Sequence, residues 1–267
     1  MYLTRARINV ARPGARRLLG SPQALHAAVM SSFPSLLPTD PSATPAQQQG
    51  PRVLWRLDRN KPAEVFLYIV SPDRPDLTHI VEQAGWPAAA ADPATPGWET
   101  RPYGPFLDRL TTGSPWAFRL TANPVHYIRR KDGEPTKRTA HVTATHQMGW
   151  LLDEARQERC GFRILEKPQP KRLLPAGTTH SGHAHHGDRY ELIVSDRRNL
   201  SFAKTHSGNG GKAPVSLVTV TYDGHLQVTE PKRMRRMLVE GLGKAKAYGC
   251  GLMTLMPLPR LPQSPEA

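Results

Sequence analysis

The segment Met1-Tyr2-Leu3-Thr4-Arg5-Ala6-Arg7-Ile8-Asn9-Val10 sets the reading of the fold. Successive side chains of an extended backbone point to opposite faces, and here Tyr2, Thr4, Ala6, Ile8 and Val10 share one face while Arg5, Arg7 and Asn9 share the other. The pattern predicts a strand with one buried side. A basic turn follows, Arg12-Pro13-Gly14-Ala15-Arg16-Arg17. Ser21 then offers a capping oxygen, Pro22 suits the first helical position, and Leu25, Ala28, Val29 and Phe33 recur at helical spacing, predicting a helix that ends before Pro34. From Pro34 to Pro51 the Pro, Ser, Thr and Gln content cannot bury a face and reads as a solvated loop. Strands at Arg52 to Leu57 and Glu64 to Val70, a helix at Asp76 to Ala84 and a strand region at Trp98 to Leu110 complete a β-α-β-β-α-β order.

Working outward, the Pro/Ala-rich connector Trp86 to Gly97 and the break Thr111-Thr112-Gly113-Ser114-Pro115 place a domain boundary near 112, giving domains 1–112 and 113–267. The second half opens with a strand at Trp116 to Thr121. Extended segments Val125 to Arg130 and Lys137 to Val142 flank Asp132-Gly133, a hairpin signal. Gln147 to Arg159 is amphipathic at helical period. Strands are expected at Phe162 to Leu165, Tyr190 to Ser195 and Val215 to Tyr222, with Asp223-Gly224 as a second tight turn into Leu226 to Val228. A helix at Pro231 to Glu240 and a strand at Leu252 to Met256 follow. The fold class is therefore α+β, read as two tandem ferredoxin-like (βαββαβ) sandwiches with helices on one face of antiparallel sheets.

With 267 residues, at roughly 150 per domain, the chain is long enough for two cores. It carries 36 Lys+Arg against 22 Asp+Glu, a formal charge of +14. That surplus points to a polyanionic partner, nucleic acid first, because neutralised phosphates release counterions; a solubilising surface bias is the plain alternative. No apolar run approaches the roughly 18 residues of a membrane span, and the opening segment lacks the pattern of a secretory signal. Cys160 and Cys250 cannot make a disulfide framework and are expected as buried, reduced thiols of a cytoplasmic protein.

Three groups of residues could carry chemistry. Gly241-Leu242-Gly243-Lys244-Ala245-Lys246-Ala247-Tyr248-Gly249-Cys250-Gly251 places Gly241, Gly243, Gly249 and Gly251 around two lysines; glycine permits positive φ and close backbone approach, so the segment is either a phosphate-holding loop or a structural turn. It has neither the P-loop spacing nor a dinucleotide fingerprint. The hairpin carries Arg129, Arg130, Lys131, Lys137 and Arg138, and the helix before the glycine segment carries Arg233, Arg235 and Arg236, all candidates for phosphate contacts or simply solvated charge. His180, His183, His185 and His186 form a cluster without partner cysteines, a flexible loop with adventitious metal affinity; no metal or other cofactor is expected at the site.

The stretch from Gly241 through Leu258 resembles the C-terminal glycine-rich signature of the CasE-type CRISPR RNA endoribonucleases of the RAMP superfamily. The Met1-Tyr2-Leu3 strand, Phe118-Arg119-Leu120-Thr121-Ala122-Asn123-Pro124-Val125 and Thr219-Val220-Thr221-Tyr222-Asp223-Gly224-His225-Leu226 fall in that family's order, so the resemblance runs over essentially the whole chain. It implies two ferredoxin-like domains, metal-independent cleavage of precursor CRISPR RNA at the base of each repeat hairpin, a monomer when free, and continued binding of the product inside the type I-E Cascade complex with its other subunits. It also implies that His26, within Pro22-Gln23-Ala24-Leu25-His26, is the catalytic histidine. Imidazole, with a pKa near about 6.5, gives or takes a proton near neutrality. Relatives often have a tyrosine one turn earlier, where this chain has Gln23, which cannot titrate. His26 is then expected to act with Lys244 or Lys246, whose cations suit a phosphorane-like transition state or plain backbone contacts. The departure at Gln23 keeps open an RNA-binding assembly subunit with little or no cleavage.

Overall fold

The computed structural model describes residues 1–33, 52–86, 97–129, 135–169, 189–205 and 212–258. The first strand, β1 (Tyr2–Ile8), buries Thr4, Ala6 and Ile8 and exposes Arg5 and Arg7, the alternation its sequence predicts. Two helices follow, α1 (Pro13–Gly20) and α2 (Pro22–Met30). Residues Arg12 to Arg17 are thus not a turn: Pro13 fills a first-turn position where its missing N–H costs nothing, and Ala15 and Leu18 are buried. β2 (Leu54–Lys61), β3 (Glu64–Ser71), α3 (Thr78–Ala84) and β4 (Trp98–Pro102) complete a sheet of order β2-β3-β1-β4, with neighbours antiparallel. The strand expected to run to Leu110 stops at Pro102, because Gly104-Pro105 opens a short helix, α4 (Gly104–Leu107), on Tyr103.

The second sheet is built from β5 (Pro115–Ala122), then a small hairpin β6 (Val125–Ile128) and β7 (Lys137–Ala140), helices α5 (Ala144–Leu152) and α6 (Glu154–Cys160), β8 (Phe162–Ile164), the long strands β9 (Leu192–Thr205) and β10 (Lys212–Val228), helix α7 (Pro231–Glu240) and β11 (Met253–Pro257). Its order is β11-β5-β10-β8, with β9 alongside β10. In both sheets the order is fourth, first, third, second strand of a βαββαβ unit, the ferredoxin-like arrangement expected.

Two local expectations fail here for physical reasons. The helix Gln147 to Arg159 is two helices, broken at Asp153, whose extended ψ ends α5 and whose carboxylate accepts the Arg156 N–H to start α6. Asp223-Gly224 is not a turn but the middle of β10. A Cβ at Gly224 would lie 2.2 Å from the Glu191 carbonyl oxygen, so glycine is there to let two backbones approach. Asp223 is there for Arg119, which donates to it at 2.6 Å.

The two sheets meet along β2, which presents Trp55 to the first core and Leu54 to the second. Between them in reach, Arg56 is 1% exposed. Its guanidinium donates to both Asp58 carboxylate oxygens at 2.7 and 2.8 Å, to the Arg119 and Leu252 carbonyls at 2.6 and 3.0 Å, and to the Thr254 hydroxyl at 2.8 Å. A buried cation is tolerated only when paired and fully hydrogen-bonded, and this one ties β2 to β5 and β11. Among the described residues no helix is long and apolar enough to cross a membrane. Cys160 and Cys250 are free and buried.

Candidate active site

Helix α2 starts where its sequence predicts. The Ser21 hydroxyl accepts the Ala24 N–H at 3.2 Å, satisfying one of the amides a helix start leaves unpaired, and Pro22 follows. Leu25 and Val29 anchor the helix in the first core. His26 therefore sits at the edge of the apolar stripe, half-buried rather than sealed in. Its Nδ1 is inaccessible to solvent and has no hydrogen-bond partner among the described residues. Burial pushes its pKa below the ordinary histidine value, which favours the neutral ring. Gln23 is half-buried on the same helix.

The glycine segment connects α7 to β11 and contains a short 3₁₀ turn, Lys246–Tyr248, that packs against both α2 and β2. The His26-bearing helix α2 and the glycine segment are thus neighbours. All four glycines have positive φ. At Gly249, with φ of 80°, a Cβ would stand 2.6 Å from the Trp55 ring, so the segment lies directly on β2. Of the four glycines that either turn the chain or hold a phosphate, two have their amides used inside the fold. The Gly241 N–H is used by the Met237 carbonyl and the Gly251 N–H by Thr121, and Gly249 and Gly251 are buried. Gly243, Lys244 and Ala247 are the exposed part. Lys246 is half-buried and donates to the Glu240 carbonyl at 2.6 Å; burial, and then the charge of Arg52, lower its pKa.

The predicted basic groups are not gathered in one place. Arg233 and Arg236 line a groove with Arg159 and Glu240, and each is engaged: Arg233 with the Glu158 carbonyl at 3.0 Å, Arg236 with Glu240 at 2.8 Å. Arg235 donates to the Leu107 and Leu110 carbonyls and serves the packing of α7 on the α4 segment. Arg129, Lys137 and Arg138 are exposed on the β6–β7 hairpin. Arg130 and Lys131, with the Asp132-Gly133 turn, lie outside the described residues, as do the 34–51 loop and the His180 to His186 cluster. Among the described residues no group of three or more His, Cys, Asp or Glu is disposed to hold a metal. At the hairpin's root the rings of His126, His141 and His146 stack, with centroid separations of 4.3 and 5.9 Å. Scattered through the sequence, those histidines gave no signal of proximity, nor did Arg59 and Arg198, which share a cleft with Tyr248 beside α2.

A profile of the family described as CRISPR associated protein matches residues 1–257. The chain belongs to that family. This CRISPR associated protein is 26% identical over 260 residues to the CRISPR-associated endoribonuclease Cse3 of Thermus thermophilus, covering 96% of this chain and 100% of the relative. It is 25% identical over 219 residues to the CRISPR system Cascade subunit CasE of Escherichia coli, covering 77% of this chain and 89% of that one. Among solved structures it is similar to the CRISPR endoribonuclease Cse3 bound to 19 nt RNA, at 24% identity and a TM-score of 0.64 over 96% of this chain and 100% of the other. It is also similar to a chain of a CRISPR RNA-guided surveillance complex, at 20% identity and a TM-score of 0.55 over 97% of this chain and 100% of that chain. These structural likenesses establish the fold that carries the site.

Proposed function

We propose that the protein is a cytoplasmic endoribonuclease that cuts precursor CRISPR RNA at the base of the repeat stem-loop and stays bound to the product as a Cascade subunit. The observation that carries the reading is the juxtaposition of two distant motifs, the helix bearing His26 and the Lys246–Tyr248 turn, in a chain matching over nearly its full length a relative named as an endoribonuclease. In the reaction the 2′-oxygen attacks the adjacent phosphorus, the bond to the 5′-oxygen breaks, and the products are a 2′,3′-cyclic phosphate and a 5′-hydroxyl. His26, whose neutral form burial favours, is suited to accept the 2′-hydroxyl proton, and the imidazolium so formed, directly or through water, returns a proton to the departing 5′-oxygen. Lys246 and Lys244 supply positive charge for the phosphorane-like transition state, and the partial desolvation of Lys246 strengthens that interaction. The hairpin residues Arg129, Lys137 and Arg138, continued in sequence by Arg130 and Lys131, suit the phosphates of an A-form stem. Arg233 and Arg236 would have to exchange their carboxylate partners for RNA. No metal is required.

The test uses the host's own repeat transcript with a single 2′-deoxy substitution at the scissile nucleotide. Cutting of the ribose substrate in EDTA and none of the deoxy substrate is expected; cutting of the deoxy strand, or strict dependence on a divalent ion, rejects the scheme. His26→Ala is expected to keep RNA affinity and lose about 10²–10⁴ in rate, the usual worth of one acid–base group. Gln23 favours a second reading, an RNA-binding assembly subunit with little turnover, which an uncut ribose transcript on the same gel would establish.

A further inference from the structure

Beside α2, where it meets the Lys246–Tyr248 turn, lies a cleft that the scheme above leaves unused. It is lined by Pro22 and Leu25 of α2, Arg59 of β2, Arg198 of β9, Thr219 of β10 and Tyr248. Its two guanidinium groups come from different sheets. Arg59 is half-buried, and among the described residues its guanidinium makes one hydrogen bond, a long one of 3.4 Å to the Leu19 carbonyl. Burial and the like charge of Arg198 act against its protonated form, and only Asp196 acts in favour. Yet Asp196 is already taken: both its oxygens accept from Arg198 Nε, at 2.9 and 3.0 Å. Two cations therefore share one carboxylate, an imbalance a further anion would relieve.

The backbone at this point is also strained. β9 pairs with β10 through Arg198↔Thr219 and Ser195↔Thr221, so two residues of β9 oppose one of β10, a β-bulge. Asp196 within it has a φ of 47° without being glycine. Such a conformation costs about 1–3 kcal/mol and persists where surrounding structure enforces it, often at a functional site. Bulges re-aim side chains, and this one brings Arg198 to the cleft that Arg59 enters from the other sheet.

We propose that this cleft holds a backbone phosphate of the RNA strand, gripped between Arg59 and Arg198, and that it positions the strand next to His26. The two arginines are positioning residues, since neither is placed at the reacting atoms. The inference rests on the endoribonuclease reading for the identity of the ligand, and it adds a second grip whose two cations come from β2 and β9 rather than from the hairpin or the glycine segment, on the same flank as α2.

The experiment measures affinity of the full chain for uncleavable 2′-deoxy repeat RNA as a function of salt, together with single-turnover cleavage of the ribose RNA at saturating protein. For Arg59→Gln combined with Arg198→Gln, affinity is expected to fall about ten- to a hundredfold, as for lost charge-assisted hydrogen bonds, and the salt slope to drop by about one. Cleavage should slow even at saturation, while Arg59→Lys keeps the slope. Unchanged slope and rate in the double variant overturn the inference. Failure of the wild-type chain to bind the RNA at all overturns instead the function on which it rests. A second measurement needs no variant: neutral methylphosphonates are placed one at a time along the strand beside the scissile bond. One position should reproduce the loss of slope, and a scan in which none does overturns the assignment. Inorganic phosphate that stabilises the wild type but not the double variant, with the RNA slope unaltered, would mark a site for a free anion and equally reject it.

Discussion

Replacing Arg56 by Met tests whether one buried cation holds the two sheets in register. The side chain is 1% exposed and its removal strands the Asp58 carboxylate, 7% exposed, with Arg119 at 3.8 Å the one cation left beside it among the described residues. It also leaves the Arg119 and Leu252 carbonyls without the donor they now share. Breaking a buried pair by removing one partner typically costs about 3–5 kcal/mol, because the remaining charge stays desolvated. At about 2–4 °C per kcal/mol for a chain of this size, the melting temperature should fall by about 6–20 °C. Urea unfolding followed by tryptophan fluorescence reads the same loss as a lower midpoint with little change in slope. Adding Asp58→Leu removes the stranded charge and should return most of the stability. A single variant within about 1 kcal/mol of wild type, or a double variant no better than the single, would refute the claim that the uncompensated charge sets the cost.

Three further outcomes are expected. Gly249→Ala sets a Cβ 2.6 Å from the Trp55 ring at a φ of 80°, and should cost about 1–3 kcal/mol; Gly20→Ala, at the end of α1 with nothing within 4 Å, is the control and does not lower the melting temperature. His26 and His141 both have pKa values lowered by burial, so in the acid range the unfolded chain binds more protons than the folded one. Stability is then full above the ordinary value of 6.5 and is lost as pH falls from there toward the depressed folded values, and a melting temperature that rises on acidification through that window contradicts the sign. Cys250, fully buried with its thiol pushed up to about 12, and Cys160, also raised by burial, should resist thiol reagents in the folded protein at mildly alkaline pH and react in urea; rapid labelling of the native chain would show that the segment before β11 opens.

Much of the fold was legible because local chemistry and tertiary structure agree. The alternation of β1, the Ser21-Pro22 helix start and the bounds of α7 at Pro231 and Glu240 follow from side-chain periodicity and capping alone. The errors arose where a residue type serves two purposes. Asp223-Gly224 resembles a turn, but its glycine answers to the backbone of Glu191 and its aspartate to Arg119, partners distant in sequence. Asp153 caps a new helix inside what periodicity reads as one. At the candidate site the histidine and the lysines could be named from a motif, whereas the consumption of the Gly241 and Gly251 amides could not, because their acceptors, Met237 and Thr121, are defined only by the folded path. Arg56 was invisible for the same reason: an arginine in a strand reads as a solvated face until the second sheet covers it.

The placement of the site follows from β2 more than from any residue that would do chemistry. Four of its positions act in four directions: Leu54 enters the core of the second sheet, Trp55 enters the core of the first and receives Gly249, Arg56 bonds to the β5 backbone, to the Leu252 carbonyl just before β11 and to the Thr254 hydroxyl of β11, and Arg59 reaches the cleft shared with Arg198. α2 packs on the same first core through Leu25 and Val29, and the Lys246–Tyr248 turn rests on both α2 and β2. The separation between the His26 helix and the lysine-bearing turn is therefore fixed by rigid sheet contacts rather than by the loops that connect them. In the proposed cleavage, which would use the nucleic acid's own 2′-hydroxyl, such pre-organisation would be most of what the protein contributes, as positioning and electrostatics. The candidate site is thus made at the seam of two sheets, where α2 and the Lys246–Tyr248 turn rest on one strand common to both cores.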